Sequence, residues 1–459
     1  MVITLPAPAK PPPPPHPGRH AQTFVIALAA IILVGTALLA SPWTTESGAA
    51  TPAVDALFTA VSAVAVTGLV TVDTATHWNR LGEAVILVLI QIGGLGFMVG
   101  ASLVLQALRR GTTRLSDVLL IREGAPSLSL REAAVLSRHI VLFTFAVEAI
   151  GAIVLTLRFW QDLPLSEALW FGVFHAVSAF CNAGFDLRGA FVSFIPYQDS
   201  LVINVAVILL IQLGALSYLV LADAATCRRW ARLAVDSKLV LLTNAILLLA
   251  GMTAFLVVEW NGALGQTSEG MRPLTALFQS VTARTAGFAT VNFGEVQAVT
   301  LFLWMALMFI GGASGSTAGG VKLTTVGVVA AALVSTVRGD EETQVFGRRV
   351  PTPLIFRAMT VIAIMLTMHF AATALLVATQ HQAGRDEFSF VALMFETMSA
   401  LATVGLSTGI TPSLTTAGKL ILCAVMFFGR LGPLTAVYAL QRHQRPTRLR
   451  FPSVAVRIG

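Results

Sequence analysis

Four times along the chain one short pattern returns: a phenylalanine, three residues, a serine or threonine, an alanine, and a glycine shortly after. The copies are Phe58 with Ser62, Ala63 and Gly68; Phe174 with Ser178, Ala179 and Gly184; Phe278 with Thr282, Ala283 and Gly287; and Phe395 with Ser399, Ala400 and Gly405. Self-similarity of this kind means one supersecondary unit built four times, so the fold must be an array of related units. The interval from phenylalanine to glycine is ten residues in three copies and nine in the third, which predicts a departure from strict fourfold symmetry there.

A second shared element has its first glycine 24 to 30 residues further on: Gln91-Ile-Gly-Gly-Leu-Gly-Phe97, Gln212-Leu-Gly-Ala-Leu-Ser-Tyr218, Phe309-Ile-Gly-Gly-Ala-Ser-Gly315 and Phe427-Phe-Gly-Arg-Leu-Gly-Pro433. With 56% hydrophobic and only 12% charged residues, the chain has too little polar surface for a soluble globule. Apolar runs such as 23–40, 84–105, 139–157, 201–221, 239–258 and 358–377 are each long enough to cross about 30 Å of hydrocarbon as a helix. Each unit therefore reads as spanning helix, short apolar segment, glycine-bearing turn and spanning helix, and the segment of about a dozen residues is too short to cross, hence re-entrant. The expected fold class is an all-α polytopic membrane protein: four tandem helix/pore-loop/helix repeats around a central pore, with eight spanning helices. The repeats fall at 21–110, 139–223, 238–338 and 357–441, behind a disordered cytoplasmic arm at 1–20 with its proline run Pro11 to Pro15, and before a cytoplasmic tail at 442–459.

Backbone that leaves helical geometry at membrane depth must be buried in protein or line water, so the four turns are expected to converge on one axis. The tetrads there are Val66-Thr67-Gly68-Leu69, Asn182-Ala183-Gly184-Phe185, Thr285-Ala286-Gly287-Phe288 and Thr403-Val404-Gly405-Leu406. None contains Asp, Glu, Lys or Arg. Neutral oxygens that replace a hydration shell suit a monovalent cation such as potassium, whereas a divalent cation calls for a carboxylate ring. Glycine permits the positive φ that turns carbonyls inward, and the helix before each turn aims its negative C-terminal end at the pore. Small residues are also common where membrane helices merely pack, but packing alone does not place four tetrads in one frame.

The basic residues sort by side. Clusters at 109–138, 228–238, 338–357 and 442–457, with Lys10 and Arg19, hold most of the 30, while Arg80, Arg158, Arg188, Arg272, Arg284, Arg385 and Lys419 fall opposite. This bias places both termini in the cytoplasm of a multi-pass cell (inner) membrane protein, and it accounts for the net charge of +7 without nucleic acid. Cys181, Cys227 and Cys423 lack metal-ligand spacing. A leader cleaved near residues 37–40 would delete the first helix of the repeat pattern and is disfavoured.

These helix-loop-helix units and their tetrads make residues 21–459 resemble the KtrB/TrkH proteins of the Trk/Ktr/HKT superfamily, most closely the compact KtrB branch. The resemblance implies potassium uptake, a homodimer in the lipid bilayer with one pore per protomer, and a separate cytoplasmic nucleotide-binding regulatory ring of the KtrA/TrkA kind. It implies a potassium filter at Val66, Thr67 and Gly68, at Asn182, Ala183 and Gly184, at Thr285, Ala286 and Gly287, and at Thr403, Val404 and Gly405. Potassium is the transported ion, sodium is a candidate activator, and no organic cofactor is expected. The nearest rival is a sodium-permeable or weakly selective channel of the same fold; some plant relatives carry serine at one filter glycine, and glycine stands at all four positions here.

The exit helix of the third repeat is interrupted by Gly311-Gly312-Ala313-Ser314-Gly315-Ser316-Thr317-Ala318-Gly319-Gly320, a composition that breaks helices. Walker spacing for a phosphate loop is absent, and the family implies a loop beneath the filter that obstructs the pore. Lys322 and Arg430 lie in apolar surroundings at similar depth, where charge is a functional hypothesis by default. Arg430 can donate to oxygens of the loop, while Lys322 has snorkelling as its plain alternative. His175 and Glu396 read equally as a proton relay or as packed polar groups, and Asp73 and Asp186 as mouth charges or solvated loop residues. No catalytic residues are expected, because the eight histidines do not cluster with carboxylates.

Overall fold

The computed structural model describes residues 17–109, 130–385 and 387–432; the first 16 residues and the tail expected at 442–459 lie outside these ranges. In hydrocarbon every backbone amide and carbonyl must be paired inside the protein, so the apolar runs become helices. The first unit is α1 (Pro17–Leu39), the pore helix α2 (Ala53–Ala65) and α3 (Arg80–Arg109). The second is α4 (Leu130–Phe159), pore helix α5 (Leu165–Phe180), and an exit made of α6 (Leu201–Ala215) and α7 (Tyr218–Cys227). The third is α8 (Val235–Glu259), pore helix α9 (Arg272–Thr282), α10 (Ala298–Phe309) and α11 (Leu323–Arg338). The fourth is α12 (Thr352–Gln382), pore helix α13 (Phe390–Leu401) and α14 (Thr416–Leu431), joined to the third by a hairpin pairing Gln344–Val345 with Arg348–Arg349. α1 begins at Pro17, inside the stretch expected to be a disordered arm.

Length alone does not deliver eight crossings. Among the described residues Arg80–Val99, Ala134–Phe159, Val235–Glu259 and Thr352–Gln382 are long and apolar enough, and α6 with α7 makes a fifth, bent by 99°. α10 and α11 fall short on length because the glycine-rich loop separates them. The bend between α6 and α7 was not expected: the chain breaks at Leu216 and Ser217, within the second shared element.

The layering is that of a membrane protein. Spanning helices present apolar side chains outward, with Leu249 63% and Val257 75% exposed, while the phenylalanine that opens each copy of the first pattern is at 0% in all four units. The second shared element has a steric cause. A Cβ on Gly93 would stand 2.1 Å from the Val64 carbonyl oxygen, one on Gly214 1.8 Å from that of Phe180, and one on Gly429 2.0 Å from that of Leu401. Each of these carbonyls lies two residues before its tetrad, so glycine lets the exit helix press against the end of the pore helix. In the third unit Gly311 meets the Gly319 carbonyl of the interrupting loop at 1.9 Å instead.

Candidate ion pathway

Each pore helix ends in the same way. The first tetrad residue is left-handed although it is not glycine, with φ of 57° at Val66, 58° at Asn182, 65° at Thr285 and 52° at Thr403; the tetrad glycines follow at 92°, 70°, 80° and 93°. Left-handed backbone at a non-glycine residue carries strain that the surrounding packing must sustain, and its fourfold repetition marks a built feature. The glycines then close a ring. A Cβ on Gly68 would stand 2.4 Å from the Ala183 oxygen, on Gly184 2.9 Å from the Ala286 oxygen, on Gly287 2.6 Å from the Val404 oxygen, and on Gly405 2.1 Å from the Thr67 oxygen. Each unit thus presses its glycine against the carbonyl of the next, in chain order and back to the first.

The serine of the pattern sits behind this ring. Ser62 Oγ accepts from the Gly68 amide and Ser399 Oγ from the Gly405 amide, each at 3.0 Å, and Ser178 Oγ donates to the Phe185 carbonyl at 2.8 Å. Thr282 stands one residue closer to its tetrad, and its hydroxyl has no partner among the described residues. The missing residue of the third copy therefore falls between the pore helix and the tetrad. It brings Arg284 to the helix end, 1% exposed, with Nη2 donating to Asn244 Oδ1 at 3.1 Å. Arg284 was counted with the outer-face charges; the structure corrects this, placing it in the core behind the ring.

Outside the ring lies a cavity of about 180 Å³ lined by the four tetrad glycines together with Asp73 and Asp186. Asp73 caps the turn Thr74–His77 and accepts from the Phe191 amide at 2.9 Å, tying the first unit to the second. Asp186 accepts from the Arg188 amide at 2.9 Å; burial, with a smaller push from Asp73, raises its carboxyl to about 6. Both mouth carboxylates are therefore capping groups that also line the cavity. His175 and Glu396 are bonded to the outer segments of their own units and share no partner, which is the geometry of packed polar groups rather than of a relay.

Beneath the ring the loop between α10 and α11 is pinned on all sides. The Ala313 amide donates to the Ala215 carbonyl at 2.9 Å and the Thr317 amide to that of Gly214 at 3.2 Å, acceptors that the break after α6 leaves free. Thr317 Oγ1 donates to Asn182 Oδ1 at 3.1 Å, and the Gly319 amide to Thr285 Oγ1 at 3.2 Å. A Cβ on Gly319 would stand 2.0 Å from Thr403 Oγ1, and one on Gly312 2.5 Å from the Ala215 oxygen. The loop thus touches the first tetrad residue of three units. Ser314 shares a hydrogen bond with Thr324 at 3.0 Å, Ser316 Oγ donates to the Ala313 carbonyl at 2.7 Å, and Gly315 takes φ of 80°.

Two cations hold this loop. Lys322 Nζ donates to the carbonyls of Ala318 at 2.5 Å and Gly319 at 3.2 Å, so it turns into the loop rather than toward water. Arg430 Nη1 donates to the Thr317 carbonyl at 2.6 Å and Nη2 to the Gly93 carbonyl at 2.7 Å, tying the third unit's loop to the first unit's exit helix. The Phe97 ring lies 4.6 Å from the Arg430 guanidinium and 5.3 Å from Lys322 Nζ, a cation–π contact to both. Phe97 closes the second shared element of the first unit, a signal that sequence reasoning had but did not use.

The family model described as TrkH, cation transport protein, matches residues 15–444. The chain is 36% identical over 432 residues to the potassium/sodium uptake protein NtpJ of Enterococcus hirae, covering 94% of this chain and 95% of that one. It is 36% identical over 440 residues to the Ktr system potassium uptake protein B of Bacillus subtilis, covering 95% and 96%. The crystal structure of the potassium transporter TrkH from Vibrio parahaemolyticus shares the fold, with a TM-score of 0.70 at 19% identity over 93% of this chain and 85% of that one.

Proposed function

The chain belongs to the TrkH family of cation transport proteins, and on that premise we propose that it is the potassium-translocating membrane subunit of a Ktr/Trk-type uptake system. The observation that carries the reading is the ring in which each tetrad glycine meets the next unit's carbonyl. A potassium ion shedding water at the outer cavity exchanges it for the carbonyls of Thr67, Ala183, Ala286 and Val404, with four pore-helix C-termini supplying negative potential and no carboxylate in the ring itself. The loop from 311 to 320, braced by Lys322 and Arg430, closes the inner side and must shift for ions to pass. The protomer pairs as a homodimer in the cell membrane with both termini cytoplasmic, and a nucleotide-binding ring acts on the loop from that side; sodium is a candidate activator.

The name of the NtpJ relative keeps a sodium-permeable channel as the second reading; glycine at all four ring positions favours potassium. Uptake by a potassium-transport-deficient bacterium separates them. Expression of the chain with its regulatory partner is expected to restore growth on limiting potassium and rubidium uptake, with sodium present. Sodium accumulation matching potassium accumulation favours the rival instead.

A further inference from the structure

One position after the shared phenylalanine, each pore helix carries a polar residue of a different kind: Thr59, His175, Gln279 and Glu396, all buried. Three of them reach the segment leaving the tetrad, at the third residue past the glycine. His175 Nδ1 donates to the Phe171 carbonyl at 2.8 Å and Nε2 accepts from the Leu187 amide at 3.2 Å; because a carbonyl only accepts and an amide only donates, the ring is the neutral Nδ1–H tautomer. Gln279 Nε2 donates to Thr290 Oγ1 at 2.6 Å. Glu396 accepts from Ser407 Oγ at 2.6 Å, from the Thr408 amide at 2.9 Å and its hydroxyl at 3.3 Å, and from Thr411 Oγ1 at 2.7 Å. In the first unit this contact is missing. Thr59 is too short, and its hydroxyl turns back to the Asp55 carbonyl at 2.9 Å. Thr71, which matches Thr290 in type and position, is 6% exposed and its hydroxyl has no hydrogen-bond partner among the described residues.

We propose that His175, Gln279 and Glu396 are positioning residues that hold the outer end of the ion-coordinating ring from behind, and that the first unit, which lacks this brace, is its compliant quarter. The proposal rests on the filter reading above. Carbonyls that are tethered cannot close around a smaller ion, so discrimination depends on how firmly each segment is held by its supporting shell. The firmest quarter is the fourth, where Glu396 gathers four donors, and the loosest is the first.

The test is the potassium-over-sodium permeability ratio of the purified full chain in liposomes, for three substitutions. Glu396→Gln weakens the strongest brace. Gln279→Thr makes the third unit a copy of the first, and Thr59→Gln gives the first unit the Gln–Thr pair of the third. The first two are expected to lower the ratio about threefold, the size of one neutral hydrogen bond, and Thr59→Gln to raise it about twofold. A role confined to folding would reduce active protein without moving a ratio, and could not raise one. Unchanged ratios in Glu396→Gln and Gln279→Thr, while Gly405→Ser lowers its ratio, overturn the brace and leave the filter standing; unchanged ratios in Gly405→Ser and the other three glycine-to-serine variants overturn the filter itself. Should Thr59→Gln fail to fold, the other two decide; should it fold with an unchanged ratio, the compliant first quarter is rejected.

Discussion

Replacing a tetrad glycine with serine is expected to cut potassium-over-sodium discrimination by about tenfold, and to do so unequally among the four units. The cause is double. A Cβ is penalised at positive φ by roughly 1–2 kcal/mol, and it must also displace the neighbouring unit's carbonyl, the group proposed to coordinate the ion. Gly405 and Gly68 have φ of 93° and 92° and would bring Cβ to 2.1 Å and 2.4 Å of that oxygen; Gly287 and Gly184 have 80° and 70°, with 2.6 Å and 2.9 Å. The loss should therefore be largest in Gly405→Ser and Gly68→Ser, smaller in Gly287→Ser and smallest in Gly184→Ser. Bi-ionic permeability ratios on folded protein check this. A uniform loss contradicts the steric argument, and no loss in any of the four removes the filter.

Arg430→Ala is expected to raise basal cation flux at least about tenfold, because it removes two charge-assisted hydrogen bonds that each contribute roughly 1.5–3 kcal/mol to the closed loop. Those bonds end on different units, the Thr317 carbonyl in the loop and the Gly93 carbonyl in α3, so the guanidinium acts as a cross-tie. Shortening Gly312 to Gly319 should have the same sign, since those residues occupy the space beneath Asn182, Thr285 and Thr403. Arg430→Lys should restore closure only in part: an ammonium lacks the planar fork that reaches two carbonyls at once. Lys322 remains in each of these point variants and still donates to Ala318 and Gly319, so closure need not vanish. If Arg430→Ala and the shortened loop both conduct no more than the parent, with or without an added nucleotide-binding regulatory protein, the loop is not the gate.

Much of this was legible in the chain because the fold repeats itself. Four copies of one pattern fixed the number of units, the re-entrant segments followed from their length, and the glycine run from 311 to 320 announced a broken helix. What escaped was set by packing between elements far apart in the chain. Arg284 reads as a loop charge beside a turn, and only the approach of Asn244 from α8 makes it a core residue. The break after α6 has no glycine run to announce it; its acceptors, Gly214 and Ala215, become visible once the loop of the third unit is seen to need partners. Gln279, by contrast, is legible in the chain: it stands one place after Phe278, as His175 and Glu396 do after Phe174 and Phe395, and its role shows only when the four copies are aligned.

The most direct test of the account is the reversal potential of the purified chain in liposomes with potassium on one side and sodium on the other, recorded on the parent and on the shortened-loop variant. If the loop closes the path and the glycine ring chooses the ion, as proposed, the potential follows the potassium gradient in both, with more current in the variant. A potential near zero, showing sodium and potassium passing alike through the parent chain, would contradict it.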